Sequence, residues 1–111
     1  MPEPRNDFIR GTLEMLVLRV LDFEPMHGWG ISERIQSLSG EALSFSQGSL
    51  YPVLARLQSE GLVTTSWART VNNRRAKYYR LTPQGERKLH SEHANWRRLR
   101  SAVDWIMEGA G

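Results

Sequence analysis

Three observations predict a mainly α fold with a small β-hairpin, an α+β arrangement closed by one long helix. Apolar residues recur at helical spacing in three short stretches before Gly61 and in a long stretch at the end. Between these, residues 62–81 switch to a run of β-branched and aromatic residues interrupted by a polar turn. A chain of 111 residues can bury one modest core and not two.

Composition narrows the class. At 40% hydrophobic and 24% charged residues, without low-complexity tracts or repeats, the chain reads as a soluble globular protein. The lack of cysteine removes disulfide scaffolds and cysteine-ligated zinc and fits a reducing cytoplasm. The stretch Met1–Asp7 has no apolar segment of the signal-peptide kind, and no later stretch is apolar enough to span a bilayer, so a cytoplasmic location is expected. No glycine-rich phosphate loop, nucleophile elbow or paired carboxylates mark an enzyme, and no cofactor is expected.

Pro2 and Pro4 disfavour a helix at the start, so residues 1–9 are expected to form a loose arm. Thr12–Phe23 sets Leu13, Leu16, Val17, Val20 and Leu21 on one face, with Met15 and Leu18 elsewhere, as a central helix would. Glu24–Gly30 is rich in helix breakers and reads as a turn, in which His27 serves as a turn or cap residue. A second helix follows with Ile31, Ile35 and Leu38 as its buried stripe, ending near Gly40.

The stretch Phe45–Gly61 organises the rest. Ser46 suits an N-cap, Phe45 and Leu50 are spaced as a hydrophobic staple, and Gly61 suits the position just past the helix end. Leu50, Val53, Leu54 and Leu57 form its apolar stripe. The other side offers the donors Gln47, Ser49, Tyr51 and Arg56, with Ser46 and Gly48 at the start of the edge. Pro52 lies several residues inside such a helix, where it lacks an N–H and crowds the carbonyl of Gly48. The first turn is therefore expected to be irregular, or to start late with Ser49 as the cap.

Leu62–Trp67 and Lys77–Leu81 read as two strands joined by the polar turn Val71–Ala76, whose tip carries Asn72, Asn73, Arg74 and Arg75. Thr82 and Pro83 supply an N-cap and first-turn proline for a last helix running to about Met107. Along it Leu89, Trp96 and Val103 repeat every seven residues, with Leu99 and Ile106 in the companion slot. Such a seam packs on another helix, and a homodimer through residues 89, 96, 99, 103 and 106 is expected.

Charge locates the partner. Residues 41–81 carry six basic and two acidic side chains, a net of +4, whereas residues 1–40 carry four basic and six acidic ones. A basic hairpin beside a polar helix is the electrostatic footprint of a nucleic-acid surface. Asn73, Arg74, Arg75 and Lys77 are the hairpin candidates for contact with double-stranded DNA, and Ser46, Gln47, Gly48, Ser49, Tyr51 and Arg56 those of the helix. Three helices followed at once by a basic hairpin define a winged helix-turn-helix, here over residues 1–81, with a dimerisation helix over residues 82–111. The alternative is a winged-helix module that docks an acidic protein without reading DNA sequence. His90 and His93 lie three apart near Glu86, a spacing common by chance, and no metal is expected there.

Gly11-Thr-Leu-Glu-Met-Leu-Val-Leu, His27-Gly-Trp-Gly-Ile, Gly48-Ser-Leu-Tyr-Pro-Val-Leu-Ala-Arg-Leu and Asn73-Arg-Arg-Ala-Lys-Tyr-Tyr-Arg-Leu-Thr together resemble the PadR-like transcriptional regulators. The resemblance runs from about residue 10 to residue 90. It implies a winged-helix dimer that binds operator DNA, usually as a repressor, with a C-terminal dimerisation helix and, in many relatives, release by a small, often aromatic effector. The two-fold symmetry of such a dimer calls for a palindromic operator. It also points to Trp96 as the candidate effector platform, because some relatives sandwich flat aromatics between tryptophans of this helix. Trp29 stands where the family often carries Tyr, and the C-terminal part is a single helix, as in the shorter relatives.

Overall fold

The computed structural model describes residues 7–109. Helix α1 spans Asp7–Phe23, strand β1 Met26–His27, α2 Gly28–Leu38, α3 Gln47–Ser59, β2 Val63–Arg69, β3 Arg75–Leu81 and α4 Pro83–Met107. The arm expected over residues 1–9 falls partly outside the described residues, at 1–6, and residues 7–9 are instead the first turn of α1.

The apolar stripes of the helices meet in one core. Val17 and Leu18 of α1, Ile31 of α2, and Leu50, Leu54 and Leu57 of α3 are its deepest side chains, joined by Val63 and Tyr79 from the sheet. Leu18 is buried although it lies off the main stripe of α1, because α1 is flanked by α2, α3 and α4. The buried stripe of α2 is shorter than expected: Ile31 and Ile35 are covered, but Leu38 is 61% exposed. The helix ends at that residue, and the chain turns away through Gly40 and Glu41, both at positive φ.

Local chemistry sets the helix ends. His27 caps α2, its Nδ1 accepting the Gly30 N–H at 2.9 Å. Ser46 caps α3, accepting from the Ser49 N–H at 3.2 Å, which settles the choice between the two serines. Pro52 does not delay or break α3. It and Gly48 are both exposed, so the carbonyl that the proline leaves without its helical donor faces water. The helix closes with the Leu62 N–H on the Leu57 carbonyl at 2.9 Å and the Gly61 N–H on that of Gln58 at 3.0 Å. This paired pattern, with Gly61 at φ 74°, is a Schellman ending.

The sheet has three strands in the order β1-β3-β2. The breaker-rich turn before α2 contains β1, with Met26 opposite Tyr79 and His27 opposite Tyr78. A pairing of two residues with a strand some fifty positions later leaves no periodicity to read. The hairpin is longer than expected, with Val63 opposite Leu81 at its base and Arg69 opposite Arg75 at its tip. Thr82 caps α4 by accepting from the Gly85 N–H at 3.0 Å, and Pro83 occupies the first turn. The first turns of α4 pack on α1 and β3, burying Gly85 and Leu89, and the rest projects away, giving extents of 56 × 33 × 22 Å.

Candidate nucleic-acid interface

Helix α3 buries Leu50, Val53, Leu54 and Leu57, which leaves Gly48, Tyr51, Pro52, Ala55 and Ser59 as its exposed ridge, spaced three or four apart. The ridge is low: apart from Tyr51 its residues are small or cyclic, so a second surface can approach the backbone closely. Tyr51 is 49% exposed, and its ring lies over the start of α2, where a Cβ on Gly28 would come within 3.1 Å of the phenolic oxygen. Glycine at 28 therefore leaves the room that the tyrosine ring occupies against the start of α2.

Two residues expected on the donor edge turn elsewhere. Gln47 donates through Nε2 to Ser32 Oγ at 2.8 Å and so braces α3 against α2. Arg56 points to α1, where its Nη1 lies 3.2 Å from Glu14 Oε1, while its Nε bonds Glu60 at 3.0 Å. Both sit on flanks of α3 between the buried stripe and the exposed ridge, and the neighbouring helix captures them. Glu14 is well covered, and burial pushes its carboxyl above the ordinary range more strongly than Arg56 lowers it. Ser46 has its side chain engaged in the cap, and Ser49 stands partly covered beside it.

The hairpin projects next to α3. Its tip is closed by the Asn73 N–H on the Thr70 carbonyl at 2.9 Å and the Thr70 N–H on that of Arg74 at 2.7 Å. Asn73 takes φ 60°, a conformation asparagine tolerates better than most residues. Arg69 donates to the Asn73 carbonyl and side chain at 3.2 and 3.3 Å. Arg74 is exposed at the tip, whereas Arg75 lies within β3 with its guanidinium 5.2 Å from the Trp67 ring centroid. Lys77 is partly covered, 5.8 Å from the ring centre of Tyr79. Residues 61–85 contain no acid, so Arg69, Arg74, Arg75, Lys77 and Arg80 are opposed by no carboxylate from the hairpin itself. Sequence reading passed over Trp67 and Arg69; the alternation of the strand is the pattern that would have placed them beside Arg75 and Lys77.

Helix α4 divides in two. Leu89 is taken up by the chain's own core, so the exposed apolar stripe of α4 does not begin at residue 89. Trp96 packs on the edge of that core between α1 and α4. A groove of about 420 Å³ on one side of it is lined by Met15, Leu16, Arg19, Asp22, Leu89, His90 and His93. A smaller one of about 210 Å³, on the other side, reaches Gly11, Asn95 and Leu99. Further along, Leu99, Val103, Trp105, Ile106 and Met107 are exposed, Ile106 at 73%. His90 and His93 line the larger groove, and among the described residues no group of three or more His, Cys, Asp or Glu is placed to hold a metal ion.

The sequence model of the transcriptional regulator PadR-like family matches residues 17–91. The chain belongs to the PadR-like family. Its relatives include a transcriptional regulator of Mycobacterium tuberculosis, Rv3488, 32% identical over 84 residues that cover 76% of this chain and 75% of the relative. A PadR family transcriptional regulator from Eggerthella lenta is 35% identical and superposes with a TM-score of 0.75, covering 93% of this chain and 88% of its own. A PadR-like regulator from Bacillus cereus superposes with a TM-score of 0.78 at 25% identity, over 94% of this chain and 99% of the other. The winged-helix fold with a long C-terminal helix is thus that of the PadR-like regulators, which are transcriptional regulators and not enzymes. Among the described residues no helix is long and apolar enough to cross a membrane.

Proposed function

We propose that this PadR-like regulator is a homodimeric repressor that binds a palindromic operator in double-stranded DNA and is released by a small flat aromatic effector. The observation that carries the reading is the placement of the exposed α3 ridge beside an acid-free hairpin holding Arg69, Arg74, Arg75, Lys77 and Arg80. In this reading Gly48 and Tyr51 lead α3 into the major groove, and Ser46 and Ser49 sit where the helix N-terminus meets a phosphate. Asn73, Arg74, Arg75 and Lys77 brace the flanking backbone. Gln47 and Arg56 act indirectly, by holding α3 against α2 and α1.

The DNA-binding unit comprises the winged core and the first turns of α4, and the rest of α4 is the dimerisation arm. The arm's exposed Leu99, Val103 and Ile106 supply an apolar seam with Trp96 at its inner end, which supports pairing with the same helix of a second chain. Trp96, with a groove on either side, is the candidate effector platform. An effector can release the operator only by binding the two dimer arrangements with different affinity. A regulator of this kind works in the cytoplasm, where the chromosome is.

The test is selection of purified protein against a random duplex library at two salt concentrations. An enriched palindrome with half-sites about 10 base pairs apart, or a multiple of that, supports a sequence-specific dimer. Weak binding without sequence preference, persisting after refolding free of ligand, would favour a protein-docking module instead.

A further inference from the structure

Trp67 is 60% exposed in the middle of β2. A single exposed aromatic needs no explanation by itself, but the surroundings of this one are specific. The register sets Trp67 opposite Lys77 and Arg69 opposite Arg75. Alternate strand residues share a face, so Trp67 and Arg69 continue the face of Val63 and Thr65, with Arg75, Lys77 and Tyr79 beside them. The base of that face is core, where Val63 and Tyr79 are buried. Its outer half is an aromatic and basic surface.

The face also has a direction. Thr65 meets α3 through Gln58, whose Nε2 donates to Thr65 Oγ1 at 3.5 Å. Trp67, two residues on, therefore lies on the α3 side of the hairpin. Like charges directly opposite in a sheet oppose folding, yet Arg69 and Arg75 form such a pair, and the hairpin provides no carboxylate between them. Arg69 is held by the Asn73 carbonyl and side chain, and Arg75 by the Trp67 ring. Two guanidinium groups fixed in place on the helix side, with no carboxylate in the hairpin between them, suit a polyanion.

From these relations we infer that Trp67 is a positioning residue for DNA. Its ring holds the Arg75 guanidinium toward a backbone phosphate and packs on the adjoining deoxyribose. The inference rests on the DNA-binding reading and adds a residue to it. An indole lacks charge and releases no counterion itself, so it acts on the salt dependence of binding only through Arg75.

The experiment measures operator affinity of the full chain across a salt series for wild type, Trp67→Thr, Trp67→Phe, Arg75→Ala and the Trp67→Thr/Arg75→Ala double variant. Threonine keeps the strand propensity of the site, and phenylalanine keeps a ring. Trp67→Thr is expected to bind roughly tenfold more weakly, with a salt slope shifted part of the way toward that of Arg75→Ala. Trp67→Phe should recover most of that loss, and Arg75→Ala, which removes two cations from a dimer, should make the slope shallower by about 1.8. The two losses should be less than additive, as for side chains in contact. Wild-type affinity in Trp67→Thr, or strict additivity with Arg75→Ala, would overturn the inference and leave the DNA reading standing. A wild-type protein that binds no duplex would overturn both.

Discussion

Gly85, in the first turn of α4, lies directly against the backbone carbonyl of Leu62, where a Cβ would collide with the Leu62 oxygen and also meet Leu81 Cδ1 at 2.6 Å. The same carbonyl accepts the Thr82 N–H at 3.1 Å. The end of α3, the base of the hairpin and the start of α4 are therefore fastened at one point. Gly85→Ala should force these elements apart and cost about 2–3 kcal/mol, a drop in Tm of roughly 10 °C or more by differential scanning calorimetry. A melting temperature within a degree or two of wild type would show that the contact yields without cost.

Wing charge should be visible in the salt dependence of binding. If a dimer neutralises about 6–10 phosphates, operator affinity should fall about 10³–10⁵-fold between 50 and 200 mM salt. Arg74→Ala combined with Arg75→Ala removes two cations per protomer from exposed positions. The slope should become shallower with the melting temperature unchanged, as fluorescence anisotropy at several salt concentrations would reveal.

Glu14 should give stability an unusual pH dependence. Burial raises its pKa above 4.5, opposed in part by Arg56 and Lys88 and reinforced by Glu60 and Glu92. In the interval between 4.5 and the raised folded value the native state binds more protons than the unfolded one, so this group's contribution to stability falls as pH rises through that interval. Glu14→Gln, which keeps the shape and removes the titration, should flatten the pH profile of urea midpoints in that window. An identical profile in the variant would assign the pH dependence to other groups.

The seam on α4 can be tested apart from folding, because its outer residues are exposed in the protomer. Val103→Asp with Ile106→Asp should yield a folded monomer by sedimentation velocity and weaken operator binding strongly. A dimer that survives these charges would move the interface elsewhere.

Trp96 is the residue on which an effector would be seen. Planar aromatic compounds should quench tryptophan emission in the wild type, and Trp96→Ala should abolish the quenching while the dimer persists. Because Trp96 also packs on the core, the variant should lose about 1–3 kcal/mol of stability. Quenching that is undiminished in a dimeric Trp96→Ala would remove it as the platform.

Much of the fold was legible in the sequence because its causes are local. The Gly61 ending and the Thr82–Pro83 start each act within a few residues of chain, whereas the choice of Ser46 over Ser49 as the cap of α3 fell to the structure. The stripe of Leu50, Val53, Leu54 and Leu57 follows from helical spacing alone, as does the hairpin from the change of period after Gly61. Spacing states which residues share a face, and it is silent on what meets that face. Gln47 and Arg56, nine residues apart, fall on opposite flanks of α3, where Ser32 of α2 and Glu14 of α1 claim them. Leu89 belongs to the heptad of Trp96 and Val103, but α4 begins on the core and leaves it only afterwards, so the first position of that heptad is buried within the chain.

Strand β1 was invisible for the same reason, since Met26 and His27 become a strand only where β3 runs beside them. Hydrogen bonds within a turn or cap are written in neighbouring residues, whereas the partner of an exposed edge is chosen by chain segments far away in sequence. The Trp67–Arg75 pair combines both kinds: alternation fixes the side of each strand on which each residue lies, and the register of the folded hairpin sets them next to each other on one face of the sheet.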